Sequence, residues 1–216
     1  DWATMPKLLE FVPNFSEGRD AAKVDRIVAA MAAVPQAKVL GRELDLSHNR
    51  AVITLAGPME AMAEAAFRGA AAAKELIDLR VHKGEHKRMG AMDVCPFVPV
   101  AGVTMEDCIA CAKDFGRRAA EELGVPIFLY EAAATAPHRN ALKDIRAGEY
   151  EGLADKLARP EWAPDFGPAA FVPEWGATAT GARDFLVAYN VNVLGTREQA
   201  HRIALNVREQ GRGPGE

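Results

Sequence analysis

The spacing of hydrophobic residues predicts an ordered series of strands and helices in the first half of the chain. Apolar or β-branched runs predict strands at residues 8–12, 39–45 and 51–55. A helix is predicted from residue 21 to about residue 33, with Asp20 as its N-cap. One apolar stripe along this helix consists of Val24, Ile27, Val28 and Met31.

The same pattern continues to residue 130, with one interruption. Helices are predicted at residues 60–77 and 104–123, and Thr104 and Asp107 begin the second in the manner of a capping box. Residues 78–96 have no clean period and predict a long ordered loop. Two further strands are predicted, at residues 97–101 and 126–130.

The order of these elements indicates the fold class. A β-α-β-β-α series followed by β-α-β matches the split βαβ, or ferredoxin-like, motif with one added unit. We therefore expect an α+β fold in which helices cover one face of a mixed sheet and the other face is turned towards a ligand. Proline, glycine and large aromatic residues in residues 160–181 predict an ordered binding loop. Residues 185–194 predict a strand, and Thr196 caps a helix predicted from residue 197 to about 209.

Composition places the chain among soluble globular proteins. It has 216 residues, of which 49% are hydrophobic and 26% charged, and its net charge of -4 gives no reason to expect nucleic acid as a partner. No apolar stretch approaches the ~18 residues of a membrane helix, and the N-terminus lacks the pattern of a signal peptide. The three cysteines (Cys95, Cys108 and Cys111) are typical of reduced thiols. We expect a cytoplasmic protein that binds neither nucleic acid nor membranes.

The segment HKGEHKRMG at residues 82–90 holds the densest set of ionisable groups. His82, Glu85 and His86 match the H-x-x-E-H zinc signature, which requires both histidines on one helical face. Gly84 and Gly90 interrupt such a helix, and the neighbouring cations oppose a bound Zn²⁺ ion. The pattern therefore favours a site without metal, with a zinc hydrolase as an alternative.

A general base beside an anion-binding cluster also fits this segment. The local cations are Arg80, Lys83, Lys87 and Arg88. Such charges attract carboxylates and keep a nearby imidazole neutral, ready to accept a proton. His86 is the candidate base, although a solvated basic loop would have the same composition.

The stretch DLSHNR at residues 45–50 immediately precedes a predicted strand. Its Asp, Ser and Asn residues favour a hairpin turn. A functional interpretation places Asp45 or His48 at a sheet edge that faces the ligand. Spacing alone does not decide between these interpretations.

Four segments of the chain are long and unusual enough to be compared with a known family: VPNFSEG (12–18), HKGEHKRMGAMDVCPFVPV (82–100), IRAGEYEGL (145–153) and WAPDFGPAAFVPEWGATATGAR (162–183). Together they resemble the glutamate formiminotransferases, the transferase part of formimidoyltransferase-cyclodeaminases. The resemblance runs in order from about residue 8 to residue 213. Lys87 departs from the family pattern, in which proline usually follows the catalytic histidine.

The resemblance implies an activity, a co-substrate and a set of site residues. The reaction is transfer of the formimino group from N-formimino-L-glutamate to tetrahydrofolate, giving 5-formiminotetrahydrofolate and glutamate in histidine degradation and one-carbon metabolism. His86 is implied as the general base, and no metal is expected. The folate-binding residues implied are Gly167, Pro168, Ala169, Ala170, Phe171, Val172, Pro173, Glu174, Trp175 and Gly176. Further candidates for substrate binding are Asp45, His48, Arg50, His82, Lys83 and Arg88.

The resemblance also implies a domain organisation. Residues 1–185 would be the N-terminal subdomain, and residues 186–216 the truncated beginning of the C-terminal subdomain. The alternative to an enzyme is a non-catalytic module of this fold that binds folate or a protein partner. We expect small-molecule substrates as partners, and an exposed sheet face would favour a homodimer.

Overall fold

Seven strands and six helices follow one another in a computed structural model that describes residues 7–186 and 191–207. The strands are β1 (Leu8–Phe11), β2 (Asn14–Phe15), β3 (Lys38–Asp45), β4 (Arg50–Gly57), β5 (Met92–Ala101), β6 (Ile127–Glu131) and β7 (Thr178–Ala182). The helices are α1 (Ala21–Ala32), α2 (Met59–Leu76), α3 (Met105–Leu123), α4 (Leu142–Ile145), α5 (Leu153–Leu157) and α6 (Arg197–Val207). Within these described residues, 3₁₀ turns lie at Pro137–Arg139 and Pro160–Trp162.

All seven strands form one mixed sheet. β1 and β2 behave as two segments of one strand, because both pair antiparallel with β4 on one side and β5 on the other. β3 pairs antiparallel with the outer side of β4, whereas β7 pairs parallel with both β5 and β6. The β3–β4–β1/β2–β5 half has the strand order of the predicted split βαβ motif, and β7 and β6 extend it. The α+β class is confirmed.

The three long helices α1, α2 and α3 cover one face of the sheet and contact one another in sequence order. Phe11 and Phe97 stack with their ring centroids 4.9 Å apart, and Phe115 of α3 packs beside Phe97. All three rings are buried, and each contributes about 1.5–3 kcal/mol by leaving water. The many alanines of α2 face this core and allow the helices to approach closely.

The chain between β6 and β7 covers part of the opposite face with its own apolar side chains. This second core contains Val94, Phe128, Tyr130, Ile145, Leu153, Leu157 and Ala179. The covered part lies over β5, β7 and β6. Along β4 the same face stays half-exposed, with Arg50, Val52, Thr54 and Ala56 turned outward. We expected this whole face of the sheet to be open to a ligand, but among the described residues only its β3–β4 part is left uncovered.

Capping residues were the most accurate predictions of element boundaries. The Asp20 side chain accepts hydrogen bonds from two backbone N–H groups at the start of α1. Thr104 and Asp107 form the complete capping box at the start of α3, which ends at Gly124. These boundaries depend on local hydrogen bonds, which sequence patterns record directly.

Three strand predictions need correction. β5 begins at Met92 rather than at residue 97, because its first residues are buried on both faces and show no alternation. β7 was missed because its sequence TATGA consists of small residues, although all of them are buried. Of the predicted strand at residues 185–194, the described residues 185–186 and 191–194 are not in a strand, and residues 187–190 lie outside the described residues.

The chain divides into two compact units, Asp1–Asp184 and Phe185–Glu216. The first contains the whole sheet. The second contains α6, at whose start the Thr196 hydroxyl accepts a hydrogen bond from the backbone N–H of Gln199, as predicted; residues 208–209 of the predicted helix lie outside the described part. In the part of the chain that the structure describes, no helix combines the length and apolar character needed to cross a membrane. The predicted subdomain boundary at residue 185 stays a prediction.

Candidate active site

His86 lies in an irregular loop between α2 and β5 that packs directly on the turn between β3 and β4. Gly84 makes this contact possible, because a Cβ atom there would lie 2.2 Å from the carbonyl oxygen of His48. Asn49 holds the two segments together. Its Nδ2 donates to the carbonyl of Lys83 over 3.0 Å, and its own carbonyl lies 2.8 Å from Nε2 of His82.

A pair of glycines joins the far end of this loop to the segment before β7. Gly90 and Gly176 form a β-bridge, and a Cβ on either would lie 1.9 Å from a carbonyl oxygen of the other segment. Gly176 also has a φ of 78°, which favours glycine. On either side of the pair, the N–H of Ala91 donates to Trp175 over 2.8 Å, and that of Ala177 to Met89 over 3.0 Å. The predicted base and the predicted folate segment are therefore parts of one backbone network.

The imidazole of His86 sits beside a guanidinium at the edge of a cavity. Nη1 of Arg50 lies 2.6 Å from Nε2 of His86, and the ring of His48 meets that of His86 edge-on at 5.9 Å between centroids. The cavity has a volume of about 420 Å³. Its lining is His48, Glu85, His86, Lys87, Leu142, Lys143, Arg146, Ala147, Gly148 and Glu149.

The surroundings of His86 keep its ring uncharged. Burial, followed by the positive charges of Arg50 and Arg146, lowers the pKa of His86 to about 4. Because Nε2 faces a donor, the hydrogen-bond network assigns the ring proton to Nδ1. At neutral pH the ring is thus a neutral acceptor, as a general base requires.

A buried ion pair fixes the opposite wall of the cavity. Asp93 of β5 is 2% exposed and pairs with Arg146 just after α4. The other carboxylate oxygen of Asp93 accepts the N–H of Met89 over 2.8 Å. This carboxylate therefore ties the sheet, the His86 loop and the α4 segment together.

The Asp45–Arg50 stretch is both a hairpin turn and part of the site. Asp45 accepts hydrogen bonds from the backbone N–H of His48 and from the hydroxyl of Ser47, both over 2.9 Å, and its Oδ2 lies 2.6 Å from Nδ1 of His48. The hydrogen bonds from His48, first through its backbone and then through its ring, hold the pKa of Asp45 far below its usual range. Asp45 thus orients His48, whose ring lines the cavity. The hairpin interpretation of this stretch is confirmed, and the functional interpretation stays a prediction.

His82, Lys83 and Arg88 lie away from His86, around a second cavity of about 350 Å³. Arg88 donates to Nδ1 of His82 over 3.3 Å and binds the Glu151 carboxylate with two 2.9 Å hydrogen bonds. The Arg88 guanidinium also lies 5.5 Å from the ring centre of Tyr150. These contacts anchor the loop to the chain after α4.

The zinc alternative does not fit this geometry. Residues 82–90 are not helical, so His82 and His86 share no helical face. Both ring nitrogens of His82 already face Asn49 and Arg88. Within residues 7–186 and 191–207, no group of three or more His, Cys, Asp or Glu residues is arranged to hold a metal ion.

The predicted folate segment, residues 167–176, does not line the cavity beside His86. Trp175 is 1% exposed and belongs to the main core, so its ring has no free face for a ligand. Phe171 is half-buried and packs against Tyr150 at 5.3 Å between ring centroids. The segment is joined to the His86 loop by backbone hydrogen bonds from Leu79 to Glu174 and from Ala91 to Trp175.

Sequence reasoning missed Asp93 and Arg146 as site residues. Arg146 falls within IRAGEYEGL, one of the segments that carry the family resemblance, but no role was assigned to it. Asp93 falls in the stretch interpreted as a loop. Its burial becomes predictable only once that stretch is recognised as the start of a central strand.

Comparison with known proteins identifies the family of the chain. A family model described as the formiminotransferase domain, N-terminal subdomain, matches residues 8–183, and one described as the formiminotransferase domain matches residues 188–216. Formimidoyltransferase-cyclodeaminase of Rattus norvegicus is 57% identical over 209 residues, which are 97% of this chain and 39% of that protein.

Two microbial relatives are similar along most of this chain. Glutamate formimidoyltransferase of Streptococcus pyogenes serotype M1 is 46% identical over 97% of this chain and 70% of that enzyme. The enzyme of the same name from Thermoplasma acidophilum is 47% identical over 95% of this chain and 69% of that enzyme. The present chain therefore spans about two fifths of the rat relative's length and about two thirds of the microbial ones. The chain belongs to the formiminotransferase domain family.

Proposed function

We propose that the protein transfers the formimino group of N-formimino-L-glutamate to N5 of tetrahydrofolate, with His86 as the general base. The observation that carries this proposal is a neutral, half-buried imidazole at the edge of a cationic cavity. Family membership supplies the reaction, and the names of the microbial relatives support it.

The charges around the cavity suit a dicarboxylate. Lys87, Lys143 and Arg146 line it and Arg50 adjoins it through His86, against Glu85 and Glu149 as the acids of the lining. Arginine binds carboxylates through paired hydrogen bonds, and lysine does so as a point charge. An amino acid with two carboxylates would be attracted and oriented here.

The proposed chemistry balances without a metal ion. N5 of tetrahydrofolate attacks the amidine carbon, and a new C–N bond forms as His86 takes the N5 proton. The imidazolium then gives that proton to the glutamate nitrogen as the old C–N bond breaks, which releases the amine of glutamate. General acid–base catalysis by a positioned side chain accelerates such a step by ~10²–10⁴-fold. Holding the two substrates together in the correct orientation adds further acceleration.

We propose the remaining site roles on the basis of the family. Tetrahydrofolate is the co-substrate, and residues 167–176 contact it through positions other than the buried Trp175. Of the predicted substrate residues, His48 and Arg50 adjoin His86, and Asp45 orients His48. His82, Lys83 and Arg88 surround the second cavity and, in this proposal, hold the loop in shape.

We also propose the wider context that the family implies. Residues 1–185 form the N-terminal subdomain and residues 186–216 begin the next, which agrees with the two family matches at 8–183 and 188–216. The reaction belongs to histidine degradation and one-carbon metabolism in the cytoplasm. Its partners are the two small-molecule substrates, and a homodimer would cover the open half of the sheet.

A transfer assay beside a binding assay tests the proposed function. Purified protein is mixed with formiminoglutamate and tetrahydrofolate, glutamate release is followed, and folate affinity is measured by calorimetry. We expect transfer in the wild type and its loss in His86→Asn, with folate affinity unchanged. His138→Asn is the matched control, because this exposed histidine lies next to Trp162, away from the cavity. Folate binding without transfer in the wild type would instead favour the non-catalytic module.

A further inference from the structure

The hydrogen bond that His86 makes in the structure blocks its function as a base. Nε2 faces Nη1 of Arg50 at 2.6 Å, and Nε2 carries the only free lone pair of an imidazole protonated at Nδ1. A nitrogen that accepts from a guanidinium cannot also accept the proton of a nucleophile. Arg50 must therefore move before His86 can act.

No acidic partner holds Arg50 in this position. Across residues 7–186 and 191–207, no carboxylate oxygen lies within the 4.0 Å of an ion pair from its guanidinium. Its Nε is buried and has no hydrogen-bond partner in that part of the chain. Arg88 and Arg146 differ in having an acidic partner, Glu151 and Asp93 respectively, although the Nε of Arg146 is likewise buried without a hydrogen-bond partner among the described residues. Because a guanidinium has five N–H donors, Arg50 keeps most of its donors for a ligand.

We propose that Arg50 is a positioning residue that binds the α-carboxylate of formiminoglutamate and thereby releases Nε2 of His86. This inference rests on the proposed function. A carboxylate offers a guanidinium two charge-assisted hydrogen bonds, which are stronger than one bond to a neutral ring nitrogen. In formiminoglutamate the α-carboxylate and the formimino nitrogen are attached to the same carbon atom. A carboxylate on Arg50 therefore brings the amidine next to the released nitrogen.

The same exchange strengthens the base. The charged and titratable groups that face His86 or line its cavity are Arg50, His48, Glu85, Lys87, Lys143, Arg146 and Glu149, with Asp93 behind Arg146. A bound carboxylate offsets the charge of Arg50, so the pKa of His86 rises from about 4 towards its ordinary value. His86 thus becomes a better proton acceptor when substrate arrives, and stays blocked without it.

Titration of His86 by NMR tests the exchange directly. The protein has five histidines, and His86→Asn identifies the imidazole signal of residue 86. In the wild type, saturating L-glutamate should lower the acid dissociation constant of His86 about tenfold or more. In Arg50→Gln this constant should already be lower without ligand, and glutamate should change it little. Arg50→Lys keeps the positive charge but lacks the paired N–H donors of a guanidinium. In this variant the titration of His86 should respond only weakly to glutamate.

Arg117→Gln is the matched control, because Arg117 lies on the exposed surface of α3 and pairs with Asp114. This variant should titrate like the wild type. In the transfer assay, Arg50→Gln should raise KM for formiminoglutamate and move the acidic limb of the pH profile upward. Loss of the Arg50 charge raises the pKa of His86 whatever the role of Arg50, so the rise in KM is the change that is not expected if Arg50 only supports the fold.

Three results would overturn the inference. One is binding of glutamate that leaves the His86 titration unchanged, and another is an equal response in Arg50→Gln. The third is a response to 5-formyltetrahydrofolate but not to glutamate, which would assign Arg50 to the glutamyl carboxylate of the folate. The titration needs no turnover, so a normal glutamate response in a protein without transfer activity would refute the proposed function alone.

Discussion

Nη1 of Arg50 lies 2.6 Å from Nε2 of His86, so a permanent cation faces the candidate base. Burial lowers the pKa of His86 most, and the charges of Arg50 and Arg146 add to that effect. Protonation of His86 is therefore resisted by the folded protein and not by the unfolded chain. The unfolding free energy of the protein should therefore depend on the protonation of His86, as its proposed chemistry does.

The free energy of unfolding should fall as the pH drops from about 6.5 to about 4. In this window the unfolded chain binds a proton at residue 86 and the folded protein does not, so stability decreases with acidification. We expect His86 to contribute about 1–2 kcal/mol to this decrease, less than the full linkage value because solvent screens a half-buried group. Urea denaturation at several pH values measures the effect.

His86→Gln provides the comparison for this experiment. The variant lacks the titrating ring, so the difference in unfolding free energy between the two proteins should change between pH 7 and pH 4. A difference that stays constant over this range would show that His86 is not held neutral by the fold.

Replacement of Gly176 by alanine should destabilise the protein by about 3 kcal/mol or more. The new Cβ would lie 1.9 Å from the carbonyl oxygen of Met89, at a φ of 78° that alanine adopts poorly. The His86 loop would be displaced, so transfer activity should fall as well. Thermal or urea unfolding gives the first quantity and the transfer assay gives the second.

Gly41→Ala is the control for this glycine. A Cβ at Gly41 meets only the Thr54 side chain, at 3.6 Å, which is an ordinary contact. Its unfolding free energy should stay within about 1 kcal/mol of the wild type. Equal losses in both variants would contradict the importance of the Gly90–Gly176 contact.

Asp93→Asn should lower the unfolding free energy by about 2–4 kcal/mol, because it leaves the largely buried Arg146 without its carboxylate partner. Glu64→Gln removes a carboxylate from the more exposed pair with Arg118 and should cost about 1 kcal/mol or less. Urea denaturation of both variants provides the test. Similar small losses would mean that Asp93 does not organise the cavity.

Local signals in the sequence predicted much of the fold. Asp20, Thr104 and Gly124 mark helix ends through hydrogen bonds or backbone geometry within a few residues. β5 was misjudged because a strand buried on both faces lacks the alternation of exposed polar and buried apolar residues, and β7 because its residues are small. Such strands are defined by their neighbours in the sheet, which a single sequence does not record.

Residue types made His86 the candidate base and His48 and Arg50 candidates for substrate binding, but the sequence did not place these three side chains together. Nor did it predict that His82 and Arg88 lie at a separate cavity beside Glu151. His82 and Arg88 lie on either side of His86 in sequence, yet in the irregular backbone of this loop their side chains line a different cavity. The contribution of Arg146 depends on Asp93, which lies 53 residues away in sequence.

Chemical rescue of His86→Ala tests the proposed role of His86 most directly. Formimino transfer by this variant should fall by ~10²–10⁴-fold and recover in part when imidazole is added, because a small base can enter the cavity left by the side chain. Recovery should increase with imidazole concentration and be absent in the wild type. Undiminished transfer by His86→Ala without imidazole would contradict the assignment of His86 as the general base.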